Sequence, residues 1–106
     1  MWIFTNRGFL SAVKHLDKPG YLLIRARFRG DLEAIVGEIE VSETHEADYR
    51  FRAEILAEDF AQLMKYKIEE IDYPNFKNSI PPDMHFYHGV CSSVWATMYS
   101  AQHKAL

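Results

Sequence analysis

Apolar and charged residues alternate with period 2 over residues 21–29 and again over residues 49–54. In an extended chain the first alternation sends Leu22, Ile24, Ala26 and Phe28 to one side and Arg25, Arg27 and Arg29 to the other. The second sends Phe51, Ala53 and Ile55 inward and leaves Arg50, Arg52 and Glu54 outward. These two stretches hold five of the six arginines in the chain. Paired in one sheet, they give it a face dense in guanidinium groups.

The remaining pattern supplies the rest of the fold. Residues 2–5 and 9–15 are aromatic and β-branched around Asn6-Arg7-Gly8, which predicts a hairpin with a three-residue loop. Lys18-Pro19-Gly20 is the next turn. Leu32, Ile35, Val36 and Ile39 recur at helical spacing, with Asp31 as candidate N-cap and Gly37 shortening the helix. Residues 41–48 read as a polar connection. A second helix carries Phe60, Leu63, Met64, Lys67, Ile68 and Ile71 on one side, and Asp59 and Gln62 stand at capping-box spacing. Three of the four prolines fall in residues 72–82, where Tyr73, Phe76 and Ile80 suit a folded-down loop. A last helix runs from a cap at Asp83 to about Gln102, with Tyr87, Val90, Cys91, Val94, Met98 and Ala101 at three- and four-residue steps. The order β-β-β-α-β-α-α predicts a two-layer α+β fold, a four-stranded, mostly antiparallel sheet with helices on one face. Residues 1–106 are expected to form a single domain.

Composition narrows the class. With 106 residues, 48% hydrophobic and 25% charged, the chain suits one soluble core, and no apolar run approaches the ~20 residues of a membrane span. No secretory signal opens it, and a single cysteine, Cys91, cannot form an internal disulfide, so a cytoplasmic location is expected. The net charge of −3 hides segregation, because residues 31–48 hold seven of the fifteen acids and no Lys or Arg. An acidic chain of this kind argues against general nucleic-acid binding along a long backbone.

Candidate chemistry is sparse. His85, His88 and Cys91 stand at i, i+3 and i+6, but those steps drift around a helix axis, and no metal site or cofactor is assigned. Phosphate-loop, dinucleotide, nucleophile-elbow and metalloprotease motifs are absent, so no catalytic residue is named. The arginine strands give the better candidate. Arg25, Arg27, Arg50 and Arg52 are placed to converge on a phosphate or carboxylate, joined by Ser11 and His15 from the second strand and by Tyr73, Asn75 and Lys77 from the proline loop. Asp31, Glu33, Glu38, Glu40, Glu43 and Glu46 form a separate acidic surface, suited to a basic partner. The plainer reading of the same arginines is surface ion pairing, each pair contributing roughly 0.2–1 kcal/mol.

Six segments carry a wider likeness. Met1-Trp-Ile-Phe-Thr, Gly8-Phe-Leu-Ser, Leu23-Ile-Arg-Ala-Arg, Ala47-Asp-Tyr-Arg-Phe-Arg-Ala, Ile71-Asp-Tyr-Pro-Asn-Phe-Lys and Val94-Trp resemble a family of short uncharacterised proteins of bacterial genomes, phages and other mobile elements. Members often have arginine where this chain has Leu16. The resemblance implies a phage-type context in the host cytoplasm, and hence a small non-catalytic inhibitor of a bacterial defence system, anti-CRISPR-like, that blocks or sequesters a host protein or nucleoprotein complex. Two alternatives stand beside it: a sponge or sensor holding a nucleotide-like, phosphorylated ligand on the arginine face, and a small enzyme acting on an anionic substrate.

Overall fold

A computed structural model describes residues 1–37 and 39–105, in two compact units, Met1–Asp72 and Tyr73–Leu106. The first unit is the predicted α+β layer pair. Its strands are β1 (Trp2–Thr5), β2 (Gly8–Lys14), β3 (Tyr21–Ala26), β4 (Ser42–Glu43) and β5 (Phe51–Leu56), with helices α1 (Arg29–Val36) and α2 (Ala57–Glu69). Among the described residues the sheet has five antiparallel strands in the order β1-β2-β3-β5-β4. The fifth is β4, which pairs with β5 where the pattern read only a polar connection.

Register settles which side chains share a face. Ala12 pairs with Ile24 and Ile24 with Ala53, and these three join Leu10, Ala26 and Ile55 in a core covered by Leu32, Ile35 and Val36 of α1 and Phe60 of α2. On the other parity, Trp2 pairs with Ser11, Ser11 with Arg25, and Arg25 with Arg52. Both arginine strands therefore turn guanidinium groups away from α1 and α2, as the period-2 alternation predicts.

Several boundaries differ from the pattern, each for a local reason. The hairpin loop is Asn6-Arg7 alone, because Gly8 pairs with Thr5. Strand β3 stops at Ala26, so Phe28 is not a core residue but is 57% exposed, and Arg29 begins α1 instead of continuing the outward row. Asp31 lies inside the first turn of α1, and the N-cap position falls to Phe28, which makes no side-chain capping bond. Gly37 ends it at φ +68, a conformation that glycine adopts without strain, and its N–H bonds the Glu33 carbonyl. The Asp59/Gln62 capping box does not form, since α2 starts two residues earlier at Ala57. The apolar side of α2 fades along its length: Phe60 is buried, whereas Ile68 and Ile71 are exposed.

The Asp31 carboxylate works at longer range. Its Oδ2 accepts a hydrogen bond from the Phe9 N–H at 3.1 Å, tying α1 to the first hairpin. Burial pushes this carboxyl above its ordinary value, and the Phe9 bond only partly opposes that. A raised folded-state value means the folded protein holds the proton more tightly. Its contribution to stability is then greatest below pH 3.8 and declines as pH rises through the folded value. Asp31→Asn keeps an acceptor for Phe9 and removes the charge. In urea unfolding at pH 4 and pH 7, the variant should gain on the parent at the higher pH; an unchanged difference between the two proteins would contradict this.

The second unit holds a 3-10 turn at Lys77–Ser79 and helix α3 (His85–Ala105). Within it the Tyr73 and Phe76 rings meet at 6.4 Å, and Ser79 Oγ donates to the Phe76 carbonyl at 2.6 Å. Helix α3 begins at His85, two residues after the expected cap. Cys91 is its buried residue, whereas Met98 of the same predicted stripe is largely exposed. No helix of the described residues is long and apolar enough to cross a membrane.

Candidate functional site

The face away from α1 and α2 carries a cross-strand row, Trp2, Ser11, Arg25 and Arg52, one residue from each of four adjacent strands. Ser11 is 1% exposed, and its Oγ accepts from Arg25 Nη2 at 3.0 Å. Arg25 Nε is buried with no hydrogen-bond acceptor among the described residues. A buried unpaired donor on a charged group is costly, and such groups in folded proteins normally have a partner.

Tyr49 organises the arginines around it. It lies just before β5 and is buried, and its ring centroid is 4.5 Å from Arg25 Cζ and 4.4 Å from Arg27 Cζ. Two guanidinium groups on one phenol ring are each attracted by the ring while repelling one another. Arg52 joins through Nε, which donates to the Tyr49 carbonyl at 3.3 Å, and its Nη2 stands 4.0 Å from Asp48 Oδ1. Among the described residues, Arg25, Arg27 and Arg50 are in no ion pair, and Arg52 is only at the outer limit of one. Arg25, Arg27 and Arg52 are thus gathered around Tyr49 and largely unneutralised. Arg25 directly opposite Arg52 is in itself an unfavourable like-charge pairing.

His15 lies on the same parity but is committed elsewhere. Its Nδ1 accepts from the Asp17 and Lys18 N–H groups at 3.1 Å each, so the other ring nitrogen carries the proton and Nε2 donates to Glu54 Oε1 at 2.9 Å. Lys18 Nζ donates to the second oxygen of Glu54. The bond from Lys18, then that from His15, holds the Glu54 carboxyl below its ordinary value, and Glu54 in turn raises Lys18. This trio, with Lys18 and Glu54 exposed and His15 half-buried, satisfies the Glu54 charge without the arginines.

Arg50 is exposed, just before β5. Tyr73, Asn75 and Lys77 belong to the second unit and have partners there: the Phe76 ring, the Asn78 N–H on Asn75 Oδ1 at 3.0 Å, and the Trp95 ring 4.9 Å from Lys77 Nζ. Of the acidic set, Asp31 is taken up by Phe9, and Glu33 and Glu43 stand 3.5 and 3.8 Å from the Arg29 guanidinium. Glu40 and Glu46 are exposed, and Glu38 lies outside the described residues. No three His, Cys, Asp or Glu side chains cluster as metal ligands among the described residues.

No known protein family, curated protein or solved structure matches this chain. The geometry therefore carries the functional argument. Pattern alone missed Tyr49 as the ring beneath two arginines, and it missed Trp2 at the end of the row. Tyr49 opens the second alternating stretch, which was its one signal.

Proposed function

We propose that this protein is a non-catalytic binding protein that holds a phosphate-bearing ligand on the sheet face presenting Arg25, Arg27 and Arg52, as a sponge or sensor. The observation that supports it most is a buried guanidinium nitrogen without an acceptor, on an arginine that faces a second arginine and shares a tyrosine ring with a third. Like charges held together at a folding cost are explained by a polyanion that repays it, through charge-assisted and bidentate contacts. Among the described residues of the row, the Ser11 hydroxyl is hydrogen-bonded to Arg25 and has no general base or metal set beside it, which favours binding over turnover.

Obstruction of a basic host partner through residues 31–48 draws less support, because Asp31, Glu33 and Glu43 already have partners within the fold. Calorimetric titration with inorganic pyrophosphate tests the proposal. Saturable binding at one site, weakening as salt rises from 50 to 200 mM, is expected. Absence of saturable heat would overturn it.

A further inference from the structure

The arginine row ends in an aromatic side chain that the anion reading leaves unused. Trp2 is 71% exposed, an unusual state for the largest apolar side chain. It stands on the arginine parity of the sheet, directly across from Ser11, which is directly across from Arg25. With strands about 4.8 Å apart, its backbone lies about 10 Å from that of Arg25.

The indole is also connected to the arginines through rings. Trp2 meets Phe9 edge to face at 5.8 Å and 74°, and Phe9 stacks on Tyr49 at 6.5 Å and 22°. Tyr49 is the ring that carries Arg25 and Arg27. Because the Phe9 contact is edge to face, it does not consume both flat surfaces of the indole. One end of the row therefore offers a π surface, and the other offers unneutralised guanidinium groups.

We infer that the ligand is a nucleotide unit, its base stacked on Trp2 and its phosphate held by Arg25 and its arginine neighbours. This rests on the anion-binding proposal and adds the base to it. A flat ring joined through a sugar to a phosphate matches the row in chemistry and in approximate span, and base stacking on an exposed aromatic beside cationic side chains is a sequence-tolerant mode of recognition. The unit can be a free nucleotide or part of a short single strand; both present the same base and phosphate.

The test uses the full chain carrying Trp95→Phe, which leaves Trp2 as the sole indole of the two in the sequence. Ribose 5-phosphate, AMP and the oligonucleotide dA8 are titrated in turn, following Trp2 fluorescence and heat. AMP should bind roughly tenfold tighter than ribose 5-phosphate and quench Trp2. Trp2→Ala should bring AMP down to the affinity of ribose 5-phosphate, which itself should not change, and Trp2→Tyr should recover part of the difference. Tighter binding of dA8 than of AMP identifies a strand as the source, and equal or weaker binding identifies a free nucleotide; either supports the inference. Equal affinities for AMP and ribose 5-phosphate would overturn the base contact and leave the anion site standing. Failure of pyrophosphate as well as all three ligands would overturn both.

Discussion

Gly8→Ala should destabilise the protein by roughly 2–5 kcal/mol in urea unfolding, a large share of the ~5–15 kcal/mol total for a domain of this size. Two costs combine. Gly8 has φ +153, where a side chain is strained, and a Cβ there would lie 2.5 Å from Asp31 Cγ and 2.7 Å from Asp31 Cβ and Oδ1. The obstacle is the base of a side chain in the first turn of α1, so it cannot swing aside without breaking the bond from Phe9 or lifting the helix from the hairpin. Gly8→Ala combined with Asp31→Gly removes the overlap and keeps the backbone strain. The double variant should therefore lose less than the sum of the two single changes. A loss below about 1 kcal/mol for Gly8→Ala would contradict the close approach of α1 to the hairpin.

Arg25→Ala should weaken pyrophosphate binding by about 10- to 100-fold while changing stability by no more than about 1 kcal/mol. The binding estimate follows from hydrogen bonds to charged groups, each worth about 1.5–3 kcal/mol. Stability changes little because opposing effects offset one another. The variant loses the bond to Ser11 and the Tyr49 ring contact, which stabilise, together with the unpaired Nε–H and the charge facing Arg52, which do not. A purely architectural arginine predicts the reverse, a clear stability loss with binding unchanged. Unfolding and calorimetry on one preparation separate the two.

The side of the sheet on which Arg25 and Arg52 emerge was legible in the sequence, because alternation is a backbone property and both stretches keep it across their strands. Arg27 and Arg29 show its limit. The alternation runs on through Phe28, but the chain leaves the sheet after Ala26 and enters α1 at Arg29, a change that a periodic pattern does not mark. Strand β4 was invisible for another reason: Ser42 and Glu43 are polar, exposed and only two residues long, so β5 alone makes them a strand. Asp31 looked like a helix cap by its neighbours, whereas its partner is Phe9, 22 residues away, and only tertiary packing brings them together.

Tyr49 and Trp2 show what alternation leaves out. Each falls on an end of a strand-forming stretch, where parity says nothing about whether a ring is buried under arginines or left open. The structure distinguishes them sharply, with Tyr49 buried and Trp2 exposed along one connected set of rings.

The most direct measurement is NMR of the arginine side-chain Nε–Hε signals during a pyrophosphate titration. Arg25 and Arg52 should shift together and saturate with one affinity, while Arg7 in the hairpin loop and Arg29 beside Glu33 and Glu43 stay in place. Equal small shifts at all six arginines, or none at Arg25, would mean that the arginine row is not a binding site.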